Sequence, residues 1–210
     1  MVTPTVLEVV FIVMALALAV LMAVRVELTR ARGGKILAFF TLFIVPVLAG
    51  WIGFNEHMQR AESTQFCLSC HVMHDFGRSL YVDDPSYIPA RHFQNNLVPR
   101  DHACFTCHTD YTMFGPVHAK FRGLRHLYVQ YFGKPPAPKD IKLYTPFNNR
   151  ECLHCHAGMR VFEDEPKHTK TPEMMQQIMS NQLSCMTSRC HSIVHDVDTL
   201  KDVTFWKGGQ

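Results

Sequence analysis

The chain has no cysteine to spare. Its eight cysteines fall into Cys67-Leu-Ser-Cys70-His71, Cys104-Phe-Thr-Cys107-His108, Cys152-Leu-His-Cys155-His156 and Cys185-Met-Thr-Ser-Arg-Cys190-His191. None remains for a disulfide or a free thiol. Charge is missing from Ile36 to Phe54, and Val6 to Val24 carries only Glu8. The two stretches therefore lack the ionisable relay that a pump or channel would need. No Lys or Arg precedes Arg25. The first stretch thus has no basic leader region, which argues against a cleaved signal and for a retained helix.

What is present divides sharply. The mean hydropathy is near zero at −0.03, yet each apolar stretch is 19 residues long, close to the ~20 that cross a bilayer core as a helix. Between them lie Arg25, Arg30, Arg32 and Lys35, opposed only by Glu27. A short basic loop of this kind stays in the cytoplasm. The expected topology is a two-pass hairpin in a bacterial cytoplasmic membrane. Residues 1–56 would form the anchor, with a cytoplasmic loop at 25–35, and residues 57–210 would lie on the periplasmic side. Pro46 is expected to kink the second helix, which membrane helices tolerate.

The Cys-His motifs set the chemistry. C-x-x-C-H is the attachment signal of a c-type haem: two thiols add to the vinyl groups and the adjacent His binds iron. Zinc would pair its ligands differently and gives no reason for a His directly after every second cysteine. The fourth motif has a longer spacer, Met186-Thr187-Ser188-Arg189, which still spans the vinyl groups by bulging outward. Four covalent c-type haems are expected, held by Cys67, Cys70, Cys104, Cys107, Cys152, Cys155, Cys185 and Cys190, with His71, His108, His156 and His191 on iron. The apolar stretches contain no histidine, which excludes a b-type haem held by their own helices. Haem attachment occurs outside the bacterial cytoplasm, in agreement with the topology. The net charge of +3 would be offset by haem propionates, and nothing points to nucleic acid.

Four haems in residues 57–210 leave little chain for a conventional core. The expected fold is mainly α, a small multihaem cytochrome c domain of short helices and long loops with little or no sheet, wrapped round the haems. Lys134-Pro135-Pro136-Ala137-Pro138 reads as a linker between two haem pairs. Thr171-Pro172-Glu173 starts a helix, and Met174, Met175, Ile178 and Met179 form its apolar face. Pro116 to Phe132 mixes basic and aromatic residues. That pattern suits a helix at a membrane surface or against a partner, or simply a solvated basic face. Of thirteen histidines, nine lie outside the motif ligand positions: His57, His74, His92, His102, His118, His126, His154, His168 and His195. Most are expected to be ordinary surface residues. Met73 follows His71 by two and is an accepted haem ligand type.

From the second apolar stretch to His195 the chain resembles the NapC/NirT/NrfH membrane-anchored tetrahaem quinol dehydrogenases. The resemblance is carried by Cys67-Leu-Ser-Cys70-His71-Val72-Met73, His92, the Lys120 to Tyr128 helix, Arg150-Glu151-Cys152-Leu153-His154-Cys155-His156, and a last motif with a tail ending at His195. It implies that Met73 ligates the first haem and that His92 and His195 are distal ligands to others. It also implies a quinol site beside the first haem, with menaquinol or ubiquinol as substrate. Lys120 stands near the family's lysine position, while His126 stands where an acid is usual. A histidine there suits proton transfer near neutral pH, or it could instead ligate the first haem. Two further departures are the second membrane helix and the longer fourth motif. The expected function is anaerobic respiratory electron transfer from the membrane quinone pool to a periplasmic reductase or cytochrome. The alternative is an electron-transfer subunit of a larger membrane complex in which another subunit oxidises the quinol. Other membrane subunits and a homo-oligomer belong among the candidate partners. A small-substrate reductase would need a haem without a distal ligand, and nine further histidines argue against it.

Overall fold

A computed structural model describes residues 4–187 and 189–207. Ser188, in the fourth spacer, lies outside the described residues. Secondary structure is almost all helical. Among the described residues there is no strand, only one antiparallel bridge between Val82 and Phe205. The chain divides into two compact units, Met1–Ala61 and Glu62–Gln210.

The first unit contains α1 (Pro4–Val24), a 3-10 turn at Val26–Thr29, α2 (Arg32–Phe39), a π turn at Phe40–Ile44, and α3 (Val45–Arg60). The segments from Arg32 to Arg60 run on as one helical rod, so among the described residues there are two helices long and apolar enough to cross a membrane. Their apolar side chains point outward, with Val47 and Trp51 among the most exposed, as lipid-facing residues must. Pro46 sits at the start of α3, directly after the π turn. A proline lacks its own N–H and crowds the carbonyl four residues back. The wider π turn accommodates this without ending the helix. Glu8 packs on Gly53, where a Cβ would meet its carboxylate.

In the second unit the helices are α4 (Thr64–Leu68), α5 (His74–Ser79), α6 (Ile88–Gln94), α7 (Ala103–His108), α8 (Gly115–Phe132), α9 (Asn149–His156), α10 (Arg160–Glu163) and α11 (Pro172–Met179). Only α8, at 18 residues, exceeds eight. Buried apolar residues form two small clusters, Leu80–Phe93–Val98–Ala103 and Val82–Tyr87–Ala90–Leu200. Such clusters are small for a unit of this length, consistent with a domain filled by prosthetic groups. Pro172 and Glu173 open α11 as its sequence predicts, but the Thr171 side chain makes no cap bond. The Met174 amide is instead taken by the Thr171 carbonyl at 3.1 Å. Met174 and Met175 are half-buried and Ile178 is buried, whereas Met179 is exposed.

Two long-range clasps organise this unit, and both start three residues before a motif's first cysteine. Buried Thr64 donates to the Arg100 carbonyl at 2.8 Å and accepts the Ala103 amide at 2.9 Å. This ties the first motif to the second. Buried Asn149 donates to the carbonyls of Ile178 and Leu183 at 2.8 and 2.7 Å, and accepts the Cys185 amide at 2.9 Å. This ties the third motif to the fourth. Ser63 and Asn148 cap α4 and α9 one position earlier, so the two halves use the same local plan.

Candidate haem and electron-transfer site

In α7 and α9 the motif cysteines and histidine fall at i, i+3 and i+4, one face of a helix. That face carries Cys104, Cys107 and His108 in α7, and Cys152, Cys155 and His156 in α9. Cys67 lies in α4, with Cys70 and His71 on the turn that follows. The fourth motif lies on turns after α11. Its longer spacer closes on itself: the His191 amide bonds the Cys185 carbonyl at 3.0 Å and the Cys190 amide the Thr187 carbonyl at 2.9 Å. The motifs also stand in order. Cys67 lies beside Cys104 and Cys152 beside Cys185, while Cys107 neighbours Cys155.

Three motif histidines each face a second histidine. Ring centres are 6.0 Å apart for His156 and His92, 6.3 Å for His108 and His195, and 6.2 Å for His191 and His168. Two imidazoles bound on opposite sides of one metal, each nitrogen about 2 Å away, put their ring centres about 6 Å apart. The donor sets therefore fit haem iron. The tautomers fit as well. Nδ1 of His92 bonds the Ile88 carbonyl at 2.8 Å and Nδ1 of His168 the Phe162 carbonyl at 2.9 Å. A carbonyl only accepts, so Nδ1 carries the proton and Nε2 keeps its lone pair for a metal. Nδ1 of His195 reaches the Ser79 hydroxyl at 2.6 Å, and that hydroxyl donates onward to the Phe76 carbonyl at 2.6 Å. Desolvation lowers the pKa of His156 and His191, and the facing histidine lowers each further. Burial, then His108, pushes His195 to about 4. In all three the shift favours the neutral imidazole, the form a ligand takes. His195 also has φ +48°, a left-handed conformation uncommon outside glycine and a mark of a constrained functional position.

Beside the second and third motifs, Thr109 Oγ1, Asp110 Oδ1 and Glu151 Oε2 are buried without a hydrogen-bond partner. A cleft of about 400 Å³ opens there between Phe105, Asp110, Tyr111 and Pro116. Thr109 and Asp110 line that cleft, Asp110 Oδ1 standing 3.7 Å from Arg150, and buried polar atoms there fit a group bound against them. His71 and half-buried Met73 share one 3-10 turn. Among the described residues no imidazole stands opposite His71.

The residues expected at a quinol site do not converge. Lys120 and His126 both lie on α8 but face different neighbours. Lys120, 17% exposed, sits 3.9 Å from the Glu62 carboxylate and 4.6 Å from the centre of the Phe105 ring. Desolvation lowers its pKa, while Glu62 pushes it back up. His126 meets the Tyr144 ring at 5.0 Å, and Arg125 lies over the same ring. Desolvation, then Arg125, lowers the His126 pKa. Six residues on a helix turn the two side chains about 120° apart, so the helical spacing itself separates them. Sequence reasoning did not single out two residues, His168 and Glu62. Each meets its partner across the fold, and no local pattern marks either.

Comparison with known proteins finds a family and several relatives. Residues 29–200 match the model of the NapC/NirT cytochrome c family, N-terminal region. The cytochrome c-type protein NapC of Escherichia coli K12 is 24% identical over 183 residues, covering 80% of this chain and 86% of that protein. NapC of Haemophilus influenzae is 22% identical over 184 residues, with the same coverage of 80% and 86%. The denitrification system component NirT of Stutzerimonas stutzeri is 25% identical over 165 residues, covering 71% and 77%. No solved structure matches the chain.

Proposed function

Because the chain belongs to the NapC/NirT cytochrome c family, a family of membrane-anchored electron-transfer proteins with covalent c-type haem, we propose that it binds four haems. In this reading they take electrons from membrane quinol, menaquinol or ubiquinol, and relay them to a periplasmic redox partner. The observation that carries the reading is the set of three facing histidine pairs, each built on one motif. Six-coordinate iron suits electron transfer, because no position is left open for a substrate.

The haems would supply one-electron storage, four in series. The protein supplies ligands, spacing and dryness. His92, His195 and His168 would be the distal ligands of the third, second and fourth haems, and Met73 would ligate the first in place of the usual His. The thiol neighbours run Cys67–Cys104, Cys107–Cys155 and Cys152–Cys185, so the relay would follow chain order. The Thr64 and Asn149 clasps would fix the spacing within each haem pair.

Quinol oxidation releases two electrons and two protons. Lys120 would orient a quinol oxygen beside the first motif, and Glu62 would take a proton there. His126, deprotonated over more of the pH range than an ordinary histidine, would serve as a second proton acceptor. The protons would leave on the periplasmic side. The second reading, an electron-transfer subunit of a larger complex, draws on the second membrane-crossing helix, whose outward apolar face offers room for a partner.

Rapid mixing of the purified full-length holoprotein with a reduced quinol analogue separates the two. Haem reduction without any partner is expected. No reduction by the analogue, with full reduction by dithionite, would assign quinol chemistry to another subunit.

A further inference from the structure

Helix α8 turns an apolar stripe away from its own domain. Phe114, Val117, Phe121, Leu124, Tyr128 and Tyr131 recur at alternating three- and four-residue steps, which is one helical face. All six are exposed: Phe121 by 67%, Tyr128 by 64% and Tyr131 by 75%. A row of exposed aromatics this long is not an ordinary solvent surface. Positions off the stripe are the ones that meet the domain. Gly115 is buried, so close to the Asp110 carbonyl that a Cβ would collide with it, and Lys120 packs on Phe105.

Charge singles out the same segment. From Tyr111 to Lys139 the chain contains Lys120, Arg122, Arg125, Lys134 and Lys139 but no acidic residue. Lys120 and Arg125 flank the stripe, with Arg122 further round the helix. A wide apolar face with Tyr and Phe, bordered by cations and free of acids, is the make-up of a helix lying in the plane of an anionic membrane surface. A water-soluble partner would need no such uniform sign, and a second copy of this helix would bring its own three cations against these. The chain is already anchored in a membrane, so lipid is present at high local concentration.

We infer that α8 lies in the headgroup–acyl boundary of an anionic bilayer, its Phe121–Tyr128 face buried among lipid chains and its arginines on the phosphates. The inference rests on membrane anchoring and holds whether or not this chain oxidises quinol itself.

The test uses full-length holoprotein with benzoylphenylalanine replacing Phe121, Tyr128 or Tyr131 in turn. Val161, 68% exposed on α10, is the control position. After irradiation in phosphatidylglycerol nanodiscs, mass spectrometry is expected to find phospholipid adducts at the three stripe positions, at least ~5-fold above Val161. The yield should fall severalfold in phosphatidylcholine nanodiscs, and likewise on Arg122→Gln with Arg125→Gln in phosphatidylglycerol. Equal yields at the stripe and at Val161 would overturn the inference. So would crosslinks to a second copy in nanodiscs, or to another protein in native membranes. Haem content of each variant, read from its absorption spectrum, confirms the fold, and agreement of three separate positions guards against one damaged variant.

Discussion

Nδ1 of His195 lies 2.6 Å from the hydroxyl of Ser79, 116 residues earlier in the chain. Ser79 is fully buried and spends its own proton on the Phe76 carbonyl. His195 must therefore donate, which leaves Nε2 facing His108. Ser79→Ala removes the only acceptor at that point and strands a buried N–H, at a cost of about 1–3 kcal/mol. The expected outcome is partial conversion of one haem from low to high spin, seen by EPR, together with a shifted potential. Ser79→Thr, which keeps the hydroxyl, should restore the low-spin signal. A mere loss of packing would leave the spin state untouched.

Asn149 holds three backbone groups at once, and one of them belongs to the fourth motif. Asn149→Ala strands the Cys185 amide and the Ile178 and Leu183 carbonyls. The expected destabilisation is about 2–4 kcal/mol, since such networks lose more than one bond when cut. Denaturant unfolding should show it. Intact mass should also reveal a fraction of molecules lacking one haem, because the fourth motif is no longer held for attachment. Thr64→Ala is expected to act in the same way on the first pair, more weakly, as it frees two groups instead of three.

The motifs and the anchor were legible because their signals are local. Cysteine spacing, an apolar run and a basic loop each lie within a short window. The helical character and the near absence of sheet followed from how little chain four expected haems would leave. The clasps were not legible, because Thr64 and Asn149 are ordinary polar residues until the fold buries them. His92 and His195 were reached through family likeness alone. His168 had no such mark, since its partner His191 comes 23 residues later and nothing in the intervening sequence signals the pairing. The π turn before Pro46 was read only as a kink. Lys120 and His126 were paired on family likeness, and six helical residues turn their side chains about 120° apart. Glu62, lying before the first motif, is the acid that meets Lys120.

His168 offers the cleanest check of ligation. Removing it by His168→Gly should leave the fourth haem attached but open on one side. The oxidised protein is expected to gain one high-spin signal, and the reduced protein to bind carbon monoxide at one iron. The same treatment of His154, which stacks on Tyr111 at 3.7 Å and faces no motif histidine, should change neither.

The Glu62–Lys120 pair predicts a pH effect with a definite sign. Burial lowers the Lys120 pKa and Glu62 opposes that. Glu62→Gln removes the opposition, so Lys120 loses its proton at a lower pH than before. If charged Lys120 orients the quinol, the alkaline limb of kcat/KM moves to lower pH in Glu62→Gln. Lys120→Gln should lower kcat/KM by ~10²-fold or more and abolish that limb. An unchanged profile in both variants would remove this pair from the quinol site.

The account depends most on three haems with two histidines each and a first haem that differs. Haem quantitation of the full-length holoprotein, with near-infrared magnetic circular dichroism of its oxidised form, tests this directly. The expected result is four haems per chain, three giving the bis-histidine charge-transfer band and one the band of a methionine ligand. Fewer than four haems, or an open high-spin iron at the second, third or fourth haem, would contradict it.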